Sequence, residues 1–446
     1  MTRWSVWRED HRLDPARLTR AKAVLVAVIA VTSLLPLVFV QPDDAPWHVN
    51  LVKYLAKTGA FVGSSLLVWQ FLLGFRGLVS SRFPDLTWVV DLHKRLGQFG
   101  VPIILLHPIF IGVYYRMRRD ENVFALDLGE PFSWFVLLGM VALAITALVV
   151  VVSIWMRGTL GFGRWLTTHL ASYLIPPLLF VHSFALGPTI EGTPLRWWWI
   201  ALTALVALAL GWRLLHALGV GGARHRTTGV REVADGTTEI ELAPEGRPLA
   251  PELGQFVYLR PTTGERAHPF TVSGYDDATG ALAVTVSEAG PRTERLQRTR
   301  PGDRFVLDGP YGVFTRVAMH SELPLVMIAG GVGITPFRRI WQRLECDRDR
   351  EAHLFYGNPT RADIAYADEL DALEHVDVVH VLSDEDDYDG ETGNVDVDLL
   401  RRRLPGDLRE CVYLVCGPPP MILALEEGLK EAGVPDERVR FELFSN

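Results

Sequence analysis

The 446-residue sequence predicts a six-helix transmembrane bundle followed by an antiparallel β-barrel and a parallel α/β domain. Three observations favour this fold class. Up to about residue 220 the chain contains six apolar stretches of about 20 residues or more, the length that a helix needs to cross a bilayer. From there to about residue 318, short β-rich segments are separated by Gly, Pro and Asp. From about residue 319 onward, a strand, a loop and a helix recur in turn, as in a parallel sheet.

The apolar stretches account for an unusually hydrophobic chain. Hydrophobic residues make up 49% of the sequence and the mean hydropathy is +0.17, with the excess confined to the first half. The first stretch is longer than the core of a signal peptide, so we expect a retained membrane anchor. The six spans are predicted at Ala21–Val40, 50–75, 88–116, 132–156, 165–186 and 196–218.

The distribution of Lys and Arg predicts the orientation of these spans. The N-terminus and the segments after the second and fourth spans are basic, which places them in the cytoplasm by the positive-inside rule. We therefore expect a multi-pass protein of the cell membrane with both termini in the cytoplasm and with its odd-numbered spans running outward. The arginines of Arg116–Arg119 are a contrary signal, whereas Trp197–Trp199 suit an aromatic belt at the outer face.

Four histidines lie in two otherwise apolar spans, where ionisable side chains are costly and usually functional. His93 and His107 are 14 residues apart (107 − 93), so both leave one helix face, about 21 Å apart along the axis. His169 and His182 lie on a second span that runs the same way. If His93 faces His169 and His107 faces His182, each level offers two imidazoles to one iron. The sequence therefore predicts two bis-histidine haem b sites.

An alternative interpretation is that these histidines only form hydrogen bonds within the bundle. His169 and His182 are 13 residues apart (182 − 169), and about 1300° misses a common face by about 140° on a straight helix. Pro176–Pro177 lies between them, so we expect a kink or local unwinding there that brings His182 round. In the second span, the GxxxG spacing of Gly59–Gly63 is best explained by close helix packing.

Charge and cysteine content limit the possible partners. The formal net charge of −8 gives no indication of nucleic-acid binding. Cys346, Cys411 and Cys416 have no spacing that suits zinc or an iron–sulfur cluster. Glu385–Asp396 resembles a calcium-binding EF-hand loop, but it begins with Glu, ends with Asp and follows a strand, so we interpret it as an acidic surface loop.

Two loops of the α/β domain follow buried strands. Gly330–Pro336 follows the strand Leu325–Ala329, and a helix is expected to begin near Phe337; such a turn lets a phosphate approach backbone N–H groups. Tight packing would explain the glycines equally well. A second apolar strand, Tyr413–Val415, ends in the loop that begins at Cys416. Because ligands lie beyond the carboxyl ends of parallel strands, we expect both loops at one edge of the sheet.

Two segments of the barrel combine polar side chains with glycine or proline. His268–Ser273 ends one strand and places an aromatic residue beside two hydroxyls. Gly290–Thr293 follows a second strand and could hold a diphosphate.

The motifs HPFTVSG, GGVGITP and CGPPPM, in this order and spacing, resemble those of the ferredoxin–NADP reductase superfamily. Joined to six spans with paired histidines, they make nearly the whole chain similar to the NADPH oxidase and ferric reductase family. The resemblance implies a ferric reductase-like transmembrane domain with two b haems (1–220), an FAD-binding β-barrel (221–318) and an NAD(P)-binding α/β domain (319–446).

The resemblance also implies roles for particular residues. Thr271 would lie near the reactive nitrogen of the flavin, Cys416 beside the nicotinamide, and Phe444 on the isoalloxazine until nicotinamide displaces it. His268 would face the FAD diphosphate and Phe270 would pack near the flavin. The implied FAD-binding residues are His268, Pro269, Phe270, Thr271, Ser273, Gly290, Thr293 and Phe444, and those implied for NAD(P)H are Gly330, Gly331, Gly333, Thr335, Pro336, Arg361, Cys416, Gly417 and Pro418.

The expected function is electron transfer from cytosolic NAD(P)H through FAD and two haems to an acceptor outside the cell. Dioxygen giving superoxide is the first choice, because the outer loops are short. A ferric chelate is the second, and an electron conduit to an extracytoplasmic partner protein is a third. The basic cluster Arg116–Arg119 could attract an anionic chelate, dock a partner or contact lipid phosphates.

Arg361 indicates that NADPH is preferred over NADH. It is the first charged residue after the strand His353–Tyr356, where a sheet of this kind receives the adenosine ribose. The planar guanidinium suits a 2′-phosphate. The alternative is a surface salt bridge between Arg361 and Asp363.

Overall fold

The structure is a computed structural model, and it describes residues 15–75, 86–217, 222–261, 267–315, 318, 321–348, 350–385 and 387–443. The chain divides into two compact units. The membrane unit spans Pro15–Leu214, and the soluble unit contains the described residues from Leu215 onward.

The membrane unit confirms the six predicted spans. Within its described residues, 6 helices are long and apolar enough to cross a membrane. Each overlaps a predicted span and differs from it by a few residues at the ends. The observed spans are Thr19–Phe39, Trp47–Leu73, Trp88–Arg119, Pro131–Ile154, Arg164–Leu186 and Leu195–Leu215.

The helices of this unit are not all regular α-helices. A 3₁₀ turn (Leu35–Phe39) extends the first span, a π-helical turn (Gly59–Gly63) lies within the second, and a 3₁₀ segment (Leu170–Leu174) lies within the fifth. The α-helices are α1 (Pro15–Leu34), α2 (Trp47–Thr58), α3 (Ser64–Leu73), α4 (Leu86–Arg119), α5 (Pro131–Ile154), α6 (Arg157–His169), α7 (Ile175–Leu186), α8 (Pro188–Glu191) and α9 (Leu195–Ala217).

The GxxxG spacing of the second span brings two helix backbones together. A Cβ atom added to Gly59 would collide with the backbone nitrogen of His107, and one added to Gly63 would lie 2.6 Å from the Cα of Ile104. Glycine is therefore required where the second span crosses the third, and the packing interpretation is confirmed.

The fifth span changes its winding between its two histidines. His169 ends α6, the five residues Leu170–Leu174 form a 3₁₀ segment, and α7 begins at Ile175. A 3₁₀ helix turns about 120° per residue and an α-helix about 100°. Over the distance from His169 to His182 the total is therefore about 1400°, the same as between His93 and His107. The tighter winding places His182 on the face of His169.

The predicted kink at Pro176–Pro177 needs a correction. The change in winding precedes the prolines, and it tightens the helix rather than unwinding it. Both prolines lie in the first turn of α7, where the missing N–H would have no partner in any case.

The core of the membrane unit contains one of the tryptophans expected in the aromatic belt. Trp199 is 1% exposed, contacts the rings of Phe61 and Phe180 edge-on, and donates its indole N–H to Ser183 at 2.7 Å. Trp197, on the opposite side of the helix, is 73% exposed. The belt interpretation is therefore wrong for Trp199, which is a packing residue.

The first part of the soluble unit is a closed antiparallel barrel with strand order β1-β2-β5-β4-β3-β6. Its core contains Ile240, Val272 and Val284. Because side chains alternate along a strand, Thr271 and Ser273 lie on the outer face of β4. The elements are β1 (Ala223–Ala234), β2 (Thr237–Pro244), β3 (Phe256–Pro261), β4 (His268–Tyr275), β5 (Leu282–Ser287), α10 (Pro291–Gln297) and β6 (Arg304–Tyr311).

The second part is a parallel sheet with order β10-β9-β8-β7-β11-β12 and a hydrophobic core on each face. β7 pairs with β8 on one side and with β11 on the other. The elements are β7 (Leu325–Gly330), α11 (Thr335–Asp347), β8 (Ala352–Asn358), α12 (Ala367–Asp371), β9 (Val376–Leu382), β10 (Glu391–Thr392), α13 (Val397–Arg403), β11 (Val412–Gly417), α14 (Pro419–Glu431) and β12 (Val439–Leu443).

Candidate functional site

The four membrane histidines face each other as two pairs. The ring centroids of His93 and His169 are 6.1 Å apart, and those of His107 and His182 are also 6.1 Å apart. This is the pairing predicted from the spacing of the histidines, and it requires the third and fifth spans to run in the same direction.

The separation of the rings matches that of two imidazoles on one metal ion. With a metal–nitrogen distance of about 2.0 Å and about 1.2 Å from that nitrogen to the ring centre, two opposed ligands have centroids about 6.4 Å apart. The observed 6.1 Å lies close to this value at both levels. Each pair could therefore hold one iron.

The other ring nitrogen of each histidine already has a hydrogen-bond partner. A partner that accepts a hydrogen bond from Nδ1 fixes the tautomer and leaves Nε2 free for a metal. The partners of Nδ1 are the carbonyl of Gln70 for His93 (2.8 Å), the carbonyl of Ala56 for His107 (3.3 Å), the hydroxyl of Ser153 for His169 (3.1 Å) and the carbonyl of Phe135 for His182 (2.8 Å). The residues present fit a haem at each level.

Gly139 is a further residue at the His107–His182 pair that the sequence did not reveal. A Cβ atom at this position would lie 2.6 Å from Cε1 and Nδ1 of His182. Glycine therefore makes room for the imidazole against α5. No local sequence pattern in a hydrophobic helix indicates that a glycine packs against a histidine of another helix.

Lys57 is a half-buried lysine beside the His107–His182 pair. It follows Ala56, whose carbonyl accepts the hydrogen bond of His107. The nearby carboxylate of Asp43 is occupied, because Lys53 binds one oxygen and Tyr114 donates to the other, each at 2.5 Å. Among the described residues, no carboxylate lies within ion-pair distance of Lys57. A protonated Lys57 would therefore have no carboxylate counterion at this end of the site among the described residues.

The strand β4 presents the residues implied in flavin binding. Thr271 is 3% exposed, and its hydroxyl has no hydrogen-bond partner among the described residues. A buried hydroxyl without a partner fits a ligand that supplies one. Phe270 packs partly against the barrel core, and Pro269 is exposed. Ser273 is fully buried and donates to Glu239 at 3.4 Å, so its hydroxyl has a protein partner.

The two predicted diphosphate-binding elements of the barrel meet in the structure. Arg292 donates to Nε2 of His268 at 3.2 Å. Thr293 accepts from the backbone of Ala289 and donates to the carbonyl of Gly290, which closes the turn. Arg292 lies within the predicted segment Gly290–Thr293, and its side chain adds a cation where an anionic diphosphate would lie.

The glycine loop, Gly330–Pro336, contains two glycines that packing requires and one glycine with free space at its Cβ position. A Cβ atom at Gly330 would lie 2.7 Å from Pro418, and one at Gly333 would collide with the carbonyl of Cys416. These two glycines let the two loops touch, as expected at one edge of the sheet. Gly331 has φ +51° and nothing within 4 Å of its Cβ position, so a ligand can approach its backbone.

The helix after this loop begins earlier than predicted. A 3₁₀ turn spans Gly331–Ile334, and α11 begins at Thr335 rather than near Phe337. Thr335 donates its hydroxyl to the carbonyl of Val332 at 3.1 Å, and Pro336 lies in the first turn. The beginning of α11 therefore lies at the edge of the sheet where Gly417 and Pro418 pack.

Cys416 lies opposite Glu442 on the neighbouring strand. Burial raises the pKa of the Cys416 thiol well above its ordinary value, so it is a thiol at neutral pH. The Oε2 atom of Glu442 is buried without a partner in the described part of the chain, and burial raises its pKa to about 8. The parallel register of β11 and β12 could have revealed this pair. Phe444 lies outside the described residues.

Arg361 forms a salt bridge, but not with the partner considered from the sequence. Its Nε atom is 2.9 Å from Oε1 of Glu385, and its backbone N–H donates to the same carboxylate at 2.7 Å. Asp363 instead accepts the hydroxyl and backbone N–H of Thr360 in a capping box. The acidic loop that begins at Glu385 thus contacts the arginine, which remains 57% exposed.

A buried ionic network joins the barrel to the α/β domain. Glu239 on β2 is 2% exposed and accepts from Arg338 at 2.5 Å, from Tyr366 at 2.9 Å and from Arg231 at 2.8 Å. Arg338 lies one turn into α11, and it also pairs with Glu369 at 2.9 Å. The network therefore fixes the helix that follows the glycine loop against the outer face of the barrel.

Two family models match the chain, one in each unit. The ferric reductase like transmembrane component matches residues 60–180, and the oxidoreductase NAD-binding domain matches residues 327–427. The chain is 31% identical over 198 residues to NADH-cytochrome b5 reductase 1 of Meyerozyma guilliermondii, covering 42% of this chain and 69% of that protein.

Other similar proteins match mainly the soluble unit. The reductase component of propane 2-monooxygenase from Rhodococcus jostii is 30% identical over 253 residues, which are 52% of this chain and 66% of that protein. A component of the Na⁺-translocating NADH-quinone reductase of Psychrobacter cryohalolentis is 26% identical over 230 residues, which are 46% of this chain and 55% of that protein. The chain thus spans less than two thirds of the length of these two relatives.

Among solved structures, a flavohemoglobin from Malassezia yamatoensis with bound FAD and heme matches 88% of this chain and 96% of its own, with 18% identity and a TM-score of 0.46. The cytochrome P450 reductase of Amycolatopsis matches 50% of this chain and 70% of its own, with 25% identity and a TM-score of 0.46.

The chain joins a ferric reductase-like transmembrane domain to a ferredoxin–NADP reductase-like NAD-binding domain, which matches the architecture of ferric reductases and NADPH oxidases. The ferredoxin–NADP reductase-like part binds FAD and NAD(P)H.

Proposed function

We propose that the protein transfers electrons from cytosolic NAD(P)H across the cell membrane to an acceptor outside, with dioxygen as the first choice. The observation that carries this proposal is the pair of facing histidine sites in the membrane unit. Their axial separation of about 21 Å spans most of a hydrocarbon core of about 30 Å. Both termini would lie in the cytoplasm, as the basic segments predict.

The cofactors would divide the chemistry. FAD converts the two electrons of a hydride into single electrons, which is what a haem iron accepts. Two haem b groups would be held by His93 with His169 and by His107 with His182. In a cell that is negative inside, the membrane potential makes the outward transfer of each electron more favourable by about 2.3 kcal/mol per 100 mV.

In the soluble unit, the proposal assigns roles to three described residues. The hydroxyl of Thr271, which has no hydrogen-bond partner among the described residues, would bind the reactive edge of the flavin. The Cys416 thiol and the neutral Glu442 carboxyl would line the nicotinamide side, because they lie opposite each other near the carboxyl ends of β11 and β12. Phe444 would complete this side.

At the outer side, the proposal rests on small loops and a cation. The described outer segments between spans, 40–46, 120–130 and 187–194, are short. A diffusible acceptor such as dioxygen needs no larger docking element. Lys57 beside the outer pair would favour a reduced product that carries negative charge, such as superoxide. A ferric chelate remains the second candidate, but two of the outer arginines are partly engaged: Arg116 pairs with Asp120 at 3.5 Å and Arg119 stacks on Tyr115.

The test is NADPH oxidation by the purified full-length protein, followed through cytochrome c reduction with and without superoxide dismutase. We expect reduction that the dismutase abolishes, and its loss in His107→Ala. Activity that appears only with an added ferric chelate, or only with a partner protein, would contradict dioxygen as the acceptor. His48→Ala, an exposed histidine at the start of the second span, is the matched control.

We also propose that NADPH is preferred over NADH. Arg361 offers a guanidinium in the loop that follows β8. Its salt bridge with Glu385 is partly exposed, and such pairs are worth at most about 1 kcal/mol, so a 2′-phosphate can displace the carboxylate. Two of the relatives are named for NADH, and a wild-type preference for NADH would overturn the proposal.

A further inference from the structure

The four histidines of the membrane unit are not held alike. Backbone carbonyls accept from Nδ1 of His93, His107 and His182, whereas the partner of His169 is the side-chain hydroxyl of Ser153, at 3.1 Å. A carbonyl can only accept, so it forces the proton onto Nδ1. A hydroxyl can donate or accept, and a substitution can remove it. His169 is therefore the one whose tautomer depends on a side chain.

A second contact is specific to the same imidazole. The indole of Trp165 lies 5.2 Å from the ring of His169 with an angle of 25° between the planes. Trp165 precedes His169 by one helical turn, so both rings leave the same face of α6. The stack restricts rotation of the His169 ring. This histidine also ends α6, immediately before the 3₁₀ segment.

We infer that Ser153 and Trp165 are positioning residues for His169, and that together they set the reduction potential of the inner histidine site independently of the outer one. The inference rests on the proposed bis-histidine sites. Ser153 would accept a hydrogen bond from Nδ1–H of His169, which would make the ligand nitrogen Nε2 more basic and so favour ferric iron. Trp165 holds the plane of the ring.

The expected shift of the reduction potential follows from the loss of the hydrogen bond between His169 and Ser153. Removing such a partner commonly changes metal binding or activity by about 10-fold or more. A tenfold change in the ratio of the affinities for ferric and ferrous iron corresponds to about 59 mV for a one-electron couple. The Ser153→Ala variant should therefore raise the inner potential by about this amount, because the ferric state loses more support than the ferrous state.

The experiment is a spectroscopic redox titration of the full-length protein in detergent. Wild-type protein should show two one-electron components, and the component missing in His93→Ala identifies the inner site. In Ser153→Ala the inner component should rise while the outer one and the haem content stay unchanged, and Ser153→Thr should restore the wild-type value. Thr146→Val is the matched control: Thr146 lies on the same helix, but its hydroxyl donates to the carbonyl of Ala142 at 2.8 Å rather than contacting a histidine.

The role of Trp165 has its own readout. Trp165→Leu should change the low-spin electron paramagnetic resonance signal of the inner site, and Trp165→Phe, which keeps an aromatic ring, should change it less. Equal shifts of both components in Ser153→Ala, or no shift of either, would overturn the inference. Wild-type protein without haem would instead overturn the proposed function.

Discussion

Replacing Glu239 by glutamine should destabilise the soluble unit by about 3 kcal/mol, because the carboxylate is buried and accepts hydrogen bonds from four side chains. A glutamine would turn an amide N–H₂ group toward these donors. Breaking a buried ion pair costs about 3–5 kcal/mol, and the lower end applies because Arg338 keeps its salt bridge with Glu369. Arg231 is 59% exposed and contributes little.

For a unit of this size, about 3 kcal/mol lowers the melting temperature by about 6–12 °C. The assay is thermal unfolding of the full-length protein in detergent, followed by the fluorescence of released flavin. Glu241→Gln is the matched control, since Glu241 is an exposed carboxylate on the same strand. A double-mutant cycle with Arg338→Met should give a coupling energy of about 2 kcal/mol. The reasoning is refuted if Glu239→Gln and Glu241→Gln shift the melting temperature equally.

Three further predictions concern the cofactors and the nicotinamide side. Flavin released from the purified protein and separated by chromatography should be FAD, since two elements for a diphosphate meet at His268; recovery of FMN alone would refute this. Arg361→Ala should raise KM for NADPH about tenfold and leave KM for NADH nearly unchanged, whereas equal effects would show that Arg361 does not bind the 2′-phosphate. Because the pKa of Glu442 is raised from its ordinary 4.5 to about 8, stability should fall as pH rises between these values. Glu442→Gln should flatten that dependence in thermal unfolding, and an unchanged pH profile would count against a buried carboxyl.

The sequence predicted the features that depend on periodicity. The spacing of the histidines predicted which pairs would face each other, because helical rise and rotation are nearly constant. The parallel strands predicted that the loops after Gly330 and Cys416 would meet, because the carboxyl ends of such strands share an edge. Even so, His169 and His182, which are 13 residues apart, share a face because of a 3₁₀ segment before the prolines rather than because of a kink at the prolines.

Features that depend on long-range packing could not be predicted. No local pattern connects Glu239 with Arg338, which are far apart in the chain and meet only when the barrel and the sheet pack together. No local pattern connects Ser153 with His169 or Arg361 with Glu385 either, because each pair meets only through the packing of separate elements. Trp199 was predicted to be a membrane-belt residue because Trp197 and Trp198 precede it, but its position on the helix directs its side chain towards the core.

The most direct test of the account is the haem content of the purified protein, measured as the pyridine haemochrome. The account predicts two haem b per chain in the wild type. In His93→Ala the inner haem should be lost, and in His107→Ala the outer one. Unchanged haem content in both variants would contradict the assignment of the four histidines as ligands.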